Sequence, residues 1–193
     1  MERGLTIAQS HSNTPTPKGE APVLQTIYAW FSALATYDTD QLNELHATGG
    51  IPIDTLHPLR HTTALMEATR LGRTELVHWL LEQGAAPALL CGIPKGSALH
   101  CAIRRKHWNS VMALLSKLEY ASVVDGYGAT LLHALCVEPQ NKEYMAQALK
   151  VAEQLVQKNC SIDALDHEGI TALHHCVIND EPELAALLLH HGA

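Results

Sequence analysis

The sequence predicts an all-α solenoid, in which short pairs of helices stack side by side. Two observations support this fold class. A short motif returns at a nearly constant interval, and the apolar residues between its copies recur at three- and four-residue steps, the spacing of a helix with one buried face. A chain of 193 residues, 47% of them hydrophobic, is also long enough to bury a continuous core.

The recurring motif begins with Thr or Ser and carries a Leu two residues later. Its leucines are Leu65, Leu99, Leu132 and Leu173, separated by steps of 34, 33 and 41 residues. We interpret the longest step as the same 33-residue period with an insertion of eight residues, which lies within residues 137–144. Because four copies keep their register, the pattern indicates a true internal repeat.

Each copy predicts a pair of helices. The Thr or Ser that opens the motif can accept hydrogen bonds from backbone N–H groups at the start of a first helix. A second helix ends in the Leu-Leu-x-x-Gly-Ala pattern of residues 80–85 and 188–193. Gly84 and Gly192 stand where a left-handed helix cap is expected. One helix pair is too small to bury its own apolar face, so neighbouring pairs must stack.

The repeats resemble those of the ankyrin family, whose signature is a 33-residue period with the pattern Thr-Pro-Leu-His-x-Ala. The resemblance covers about residues 23–193, and residues 125–130 and 166–171 also keep the upstream Asp and Gly of the pattern. It implies a β-turn finger before each pair of helices. It also implies that the motif histidines hydrogen-bond back to the turn; these are His100, His133 and His174.

Two departures from the family pattern affect the predicted fold. The family's Pro after Thr is missing in all four copies, which we expect to cost little stability. Met66 replaces the motif His in its copy, so we expect the finger of that repeat to be less tightly held.

The repeats form one predicted domain, residues 22–193, preceded by a flexible leader at residues 1–21 that is dominated by Ser, Thr, Pro and Gly. We expect about five repeats, and their approximate bounds are 23–54, 58–88, 92–122, 125–163 and 166–193. No polar capping helix follows Ala193, so we expect the natural protein to continue beyond it; the alternative is that the array needs no cap at this end.

The first repeat is expected to be degenerate, because terminal repeats of such arrays are atypical. Trp30, Phe31 and Leu34 are placed on its first helix, and Leu42 and Leu45 on its second.

Charge is distributed unevenly along the chain. The net charge is −7 overall, but residues 58–110 carry +4 between segments of −4 (residues 1–57) and −7 (residues 111–193). A basic segment on an acidic chain indicates an acidic partner surface, although a solvated face without a partner would look the same in sequence.

The resemblance implies that a protein partner binds the concave face, which consists of the finger tips and the ends of the first helices. Arg60, Arg70, Arg104 and Arg105 are expected to converge there and to pair with carboxylates or phosphates, so that reversing Arg104 and Arg105 to Glu should abolish binding without unfolding. Leu71, Ile93 and Tyr127 are expected to supply apolar anchors. The predicted partner-binding residues are Leu59, Arg60, Arg70, Leu71, Ile93, Arg104, Arg105, Tyr127, Glu138, His167, Glu168, Ile178 and Asn179.

The sequence contains no recognisable catalytic or metal-binding motif, so we expect neither an enzyme nor a cofactor or metal site. The adjacent pairs His174-His175 and His190-His191 point about 100° apart on a helix and do not converge on one ion. Five cysteines without a CxxC pair indicate reduced thiols in the cytosol.

These observations predict a monomeric protein–protein interaction module, a scaffold without a membrane span, since no apolar run approaches about 18–20 residues. The alternative is a targeting or substrate-recruiting domain of a larger enzyme or secreted bacterial effector, whose catalytic domain lies outside this chain. We expect the cytosol of its own cell, or that of a host cell for a secreted effector. Nucleic-acid binding is disfavoured, because the sequence pI is about 6.0.

Overall fold

The computed structural model describes residues 20–137 and 142–193, which form ten helices and no strand. The helices follow one another as five pairs joined by turns. Their bounds are α1 (Glu20–Thr36), α2 (Thr39–Ala47), α3 (Ala64–Arg70), α4 (Thr74–Glu82), α5 (Ala98–Arg104), α6 (Trp108–Ser116), α7 (Leu131–Cys136), α8 (Lys142–Gln157), α9 (Ala172–Ile178) and α10 (Pro182–His190).

The pairs stack in two rows. The first helices α1, α3, α5, α7 and α9 pack in chain order, and the second helices α4, α6, α8 and α10 pack behind them. A single apolar cluster runs through the stack, from Trp30 in α1 to Leu188 in α10. The predicted all-α solenoid of five helix pairs is therefore confirmed.

The motif hydroxyls begin four first helices as predicted. The side chains of Thr63, Ser97, Thr130 and Thr171 each accept a hydrogen bond from the backbone N–H three residues later. This satisfies a backbone donor that a helix start would otherwise leave unpaired.

The motif histidines connect neighbouring repeats. Nδ1 of His100 receives the hydrogen bonds of Ser97, so the neutral ring carries its proton on Nε2 and donates to the carbonyl of Ala129, at 3.2 Å. His133 makes the same link between Thr130 and the carbonyl of Ile170, at 3.0 Å. Each histidine thus joins the start of its own helix to the next finger.

Met66 lacks this link, and sulfur contacts occupy its place. Sγ of Cys91, at the start of the next finger, lies 3.7 Å from Sδ of Met66 and 4.0 Å from Oγ1 of Thr63. The two repeats are therefore joined here by soft, polarizable packing instead of a directional hydrogen bond.

The fingers are held to one another by their backbones. Gly92 N–H donates to His61 O, Gly126 N–H to Lys95 O, and His167 N–H to Tyr127 O, at 2.7, 2.6 and 2.9 Å. In the described residues, the two isolated β-bridges lie within fingers. The finger tips therefore form one continuous edge of the array.

In three of the fingers, one side chain accepts hydrogen bonds from backbone N–H groups of the same finger. Oδ1 of Asp125 accepts from the N–H groups of Tyr127 and Ala129, and Asp166 does the same in the last finger. In the irregular finger before α3, Nδ1 of buried His57 accepts from the N–H groups of Leu59 and Arg60, at 3.2 and 3.3 Å. His57 thus takes the place of the missing Asp.

The first repeat caps the stack. Trp30, Phe31 and Leu34 are buried on α1 and Leu42 on α2, whereas Leu45 is partly buried. The cap is also tied by a side chain that sequence reading did not single out. The guanidinium of Arg73 donates to the carbonyls of Leu34 and Ala35 near the end of α1, both at 2.7 Å.

Left-handed backbone follows α4 and α10 as expected. Gly84 and Gly192 have φ values of 88° and 95°, and Asn159 after α8 has φ 59°. Residues 1–19 of the predicted leader and residues 138–141 of the predicted insertion lie outside the described residues. Glu20 and Ala21, assigned to the leader, begin α1 instead.

Candidate partner-binding face

The finger tips expose apolar side chains in a row. Leu59 is 76% exposed, Ile93 86% and Tyr127 56%, although each belongs to a residue type that usually contributes to cores or interfaces. The neighbouring positions His167 and Glu168 of the last finger are also exposed. The hydrogen bonds between fingers fix the backbone under this row.

A second set of predicted contacts lies at the C-terminal ends of the first helices or directly after them. Leu71, Arg105 and Ile178 are exposed there. The side-chain amide of Asn179 is engaged within the array, because it donates to the carbonyls of Cys136 and Val137 at 2.7 and 2.8 Å. Glu138, also predicted to contact a partner, lies outside the described residues.

Two of the four predicted arginines meet at one carboxylate. Arg60 and Arg70 both donate to Oε2 of Glu67, at 3.2 and 2.8 Å, while the Thr62 hydroxyl donates to Oε1 at 2.8 Å. The Glu67 side chain is 7% exposed, against 59% and 41% for the two arginines. Two guanidinium groups on one carboxylate leave a net positive charge.

The pKa of Glu67 reflects this arrangement. Burial alone would raise it, but hydrogen bonds from Arg70 and Thr62 and the charges of both arginines outweigh burial and hold the pKa below its usual value. Glu67 therefore stays ionised at neutral pH and keeps the two arginines in place.

Arg104 does not join these two arginines. It pairs with Asp125 of the following finger, Nη2 to Oδ2 at 2.5 Å, and the Asp125 side chain is 1% exposed. This pair is balanced one to one. A Glu at position 104 would place two carboxylates together, so the double reversal of Arg104 and Arg105 would disturb the finger, contrary to our expectation that it leaves folding intact.

Several of these partners were missed in the sequence reading. Glu67 stands three residues before Arg70 in the same helix, a spacing that signals an ion pair. The pairing of Arg104 with Asp125 carries no comparable signal, because it joins residues that are distant in sequence. The thiol of Cys101 lies beside Arg105, and burial nevertheless raises its pKa, which disfavours a reactive thiolate.

Comparison with known proteins agrees with the repeat pattern. A family model of three ankyrin repeats matches residues 65–150, and a model of a single ankyrin repeat matches residues 168–193. Together they match more than half of the chain. This chain belongs to the ankyrin repeat family.

The ankyrin array also has a curated relative. It is 28% identical over 135 residues to "Protein glp-1" of Caenorhabditis elegans, an alignment that covers 66% of this chain and 10% of the relative. The chain thus spans about a tenth of the length of that protein.

Ankyrin repeats generally mediate protein–protein interaction. Within residues 20–137 and 142–193 of this array, no helix has the length and hydropathy of a membrane span. In the same part of the chain, no three His, Cys, Asp or Glu residues are grouped as ligands for a metal ion.

Proposed function

We propose that this ankyrin array binds a partner protein through its concave face, as a monomer, with the finger tips as apolar anchors. The observation that carries the proposal is the row formed by Leu59, Ile93 and Tyr127, which are all more than half exposed. Tyr is enriched in binding hot spots, and an apolar row beside arginines suits the centre of a protein interface.

The hydrogen-bonded fingers support binding with little loss of conformational entropy. The backbone bonds from Gly92, Gly126 and His167 to the preceding fingers hold the tips at fixed spacing before any partner arrives. Such a preformed surface avoids the ordering cost of loops at an interface. Next to this row, Arg60 and Arg70 with one Glu67 favour a partner with acidic groups.

The test is a triple variant, Leu59→Ser, Ile93→Ser and Tyr127→Ser, used as bait for proteins from a cell lysate. We expect the partner retained by the wild type to bind at least tenfold more weakly, a loss of about 1.4 kcal/mol or more. The melting temperature should stay nearly unchanged, because exposed substitutions usually alter stability by about 0.5 kcal/mol or less.

The matched control is Leu189→Ser, an exposed leucine on α10 that is 57% accessible and lies outside the finger row. It should retain the partner at the wild-type level. If the triple variant retains the partner equally well, the concave face is not the binding surface.

A recruiting role within a longer protein is the second candidate. The aligned segment of Protein glp-1 is a tenth of that protein, so in this relative the matching repeats are part of a longer chain. A catalytic activity that co-purifies with the natural full-length product, and that is lost for one substrate in the triple variant, would support this role. An activity unaffected by the variant would exclude it.

A further inference from the structure

A cavity of about 420 Å³ opens between the capping repeat and the second repeat, where α1 faces α3. This volume lies within the range of about 300–1,000 Å³ that is typical of ligand pockets. Its apolar wall comes from both repeats and includes Tyr28, Phe31, Leu34 and Leu71. An apolar side chain of a ligand could therefore be buried between the two repeats.

The rim of the cavity is cationic. Arg60, Arg70 and Arg73 line it together with a single carboxylate, that of Glu67. Arg73 is committed to the carbonyls at the end of α1, but Arg60 uses only one guanidinium nitrogen, Nη1, for Glu67. Nε and Nη2 of Arg60 have no protein acceptor among the described residues, and the side chain is more than half exposed.

A neutral hydrogen-bond donor, the imidazole of His57, also lines this cavity. Nδ1 of His57 accepts from two backbone N–H groups, which places the ring proton on Nε2. No residue in the described part of the chain accepts from that Nε2–H. His57 also packs against Phe31, with ring centroids 4.7 Å apart, so its ring is held in a fixed position beside the apolar wall.

We propose that this cavity binds an acidic segment of a protein partner, in which an Asp or Glu stands next to an apolar side chain. The carboxylate meets the free guanidinium nitrogens of Arg60, and the apolar side chain lies against Phe31, Tyr28 and Leu71. This assignment rests on the proposed protein-binding function and specifies the chemistry of one contact within it.

The charge distribution favours a short acidic segment over a polyanion. Three arginines and one carboxylate give the cavity rim a local positive excess, whereas the chain as a whole carries −7 and would repel a long phosphate backbone. Planar carboxylates also match the fork of a guanidinium. The apolar wall requires a neighbouring apolar group, which a peptide supplies at the adjacent residue.

The probe is a random dodecapeptide library displayed on phage and selected on the full 193-residue chain, followed by synthesis of the enriched peptides. We expect these peptides to share an Asp or Glu within two residues of a large apolar residue. Their affinity should fall at least tenfold when that acidic residue is changed to its amide, and equally in the variants Arg60→Gln and Leu71→Ser.

Two matched controls separate the cavity from general effects of charge and of exposed apolar surface. Lys117→Gln removes one positive charge from an exposed side chain just after α6, and Leu189→Ser removes an exposed apolar side chain from α10. Both should bind the peptides like the wild type. No enriched peptide, a consensus without a carboxylate, or equal losses in Arg60→Gln and Lys117→Gln would overturn the proposal.

Binding of a single-stranded RNA oligonucleotide that is lost in Arg60→Gln would also overturn it, in favour of a nucleic acid. Failure of the cavity assignment can be distinguished from failure of the proposed function. If the lysate partner needs the finger tips but binds Arg60→Gln unchanged, the concave-face interaction stands and the cavity assignment falls.

Discussion

Lowering the pH from 7 to 4 is expected to reduce the free energy of unfolding of this ankyrin array by about 3 kcal/mol through His100 alone. His100 is buried and links the start of α5 to the next finger through Ser97 and Ala129. Burial lowers its pKa from 6.5 to about 4, and the hydrogen bond to Ala129 and the charge of Asp125 offset only part of that effect.

The sign follows from the protons bound in each state. Between pH 6.5 and about 4 the unfolded chain protonates this histidine and the folded chain does not, so acid favours unfolding. The contribution of neutral His100 to the free energy of unfolding is complete above pH 6.5 and is lost as the pH falls toward 4. Protonation of Nδ1 would also replace the acceptor that receives the Ser97 hydrogen bonds.

Three carboxylates extend this loss of unfolding free energy to lower pH. The pKa values of Glu67, Asp125 and Asp166 are held below the usual range, because hydrogen bonds from their partners outweigh the effect of burial. Their contributions are present above the unfolded pKa of about 4 and disappear as the pH falls further. The acid transition should therefore begin with His100 and steepen below pH 4.

Urea denaturation at pH 7.0, 5.5 and 4.5 measures the effect. The control is His100→Gln, which lacks the titrating group and should show a smaller slope of unfolding free energy against pH in this window. Some slope should remain in the control, because burial and Arg60 also lower the pKa of His57. Equal slopes for the two proteins would show that His100 is not the group that couples folding to acid.

The sequence predicted those features that repeat. Thr130 and His133, and likewise Ser97 and His100, stand at fixed spacing within one turn of helix, so their mutual hydrogen bonds follow from local geometry. The helix pairs and their order of stacking follow from the apolar spacing, since neither helix of a pair can bury its face alone.

Features that depend on one particular finger were not predictable. His57 stands six residues before Thr63, whereas Asp125 and Asp166 stand five residues before their threonines, so alignment by residue type does not reveal that His57 serves as the acceptor. The pairing of Arg104 with Asp125 depends on how far one finger folds over the preceding helix, which no local pattern encodes. The repeat alignment therefore predicted that four arginines converge on one face across two repeats, but it did not show that Arg104 is paired with Asp125.

Replacing Trp30 by Ala is expected to destabilise the array by about 3–5 kcal/mol. Trp30 is fully buried at the centre of the capping repeat, with its ring 6.4 Å from that of Trp79 and 6.2 Å from that of His46. Its removal leaves a large cavity where α1 joins the stack. Because stability in repeat arrays is transmitted between neighbours, α1 and α2 should lose protection from hydrogen exchange before α9 and α10 do.

Trp30→Phe separates packing from hydrogen bonding. Nε1 of Trp30 is buried without a hydrogen-bond partner in the described part of the chain, so Phe removes an unsatisfied donor and sacrifices only part of the ring volume. We expect Phe to cost less than half as much as Ala in urea denaturation. Equal costs would mean that the indole N–H is bonded in solution, and an Ala variant as stable as the wild type would mean that the first repeat does not cap the stack. Since α1 also supplies Phe31 and Tyr28 to the cavity, unfolding of the cap should abolish peptide binding there while the finger tips at Ile93 and Tyr127, which follow α3, stay in place.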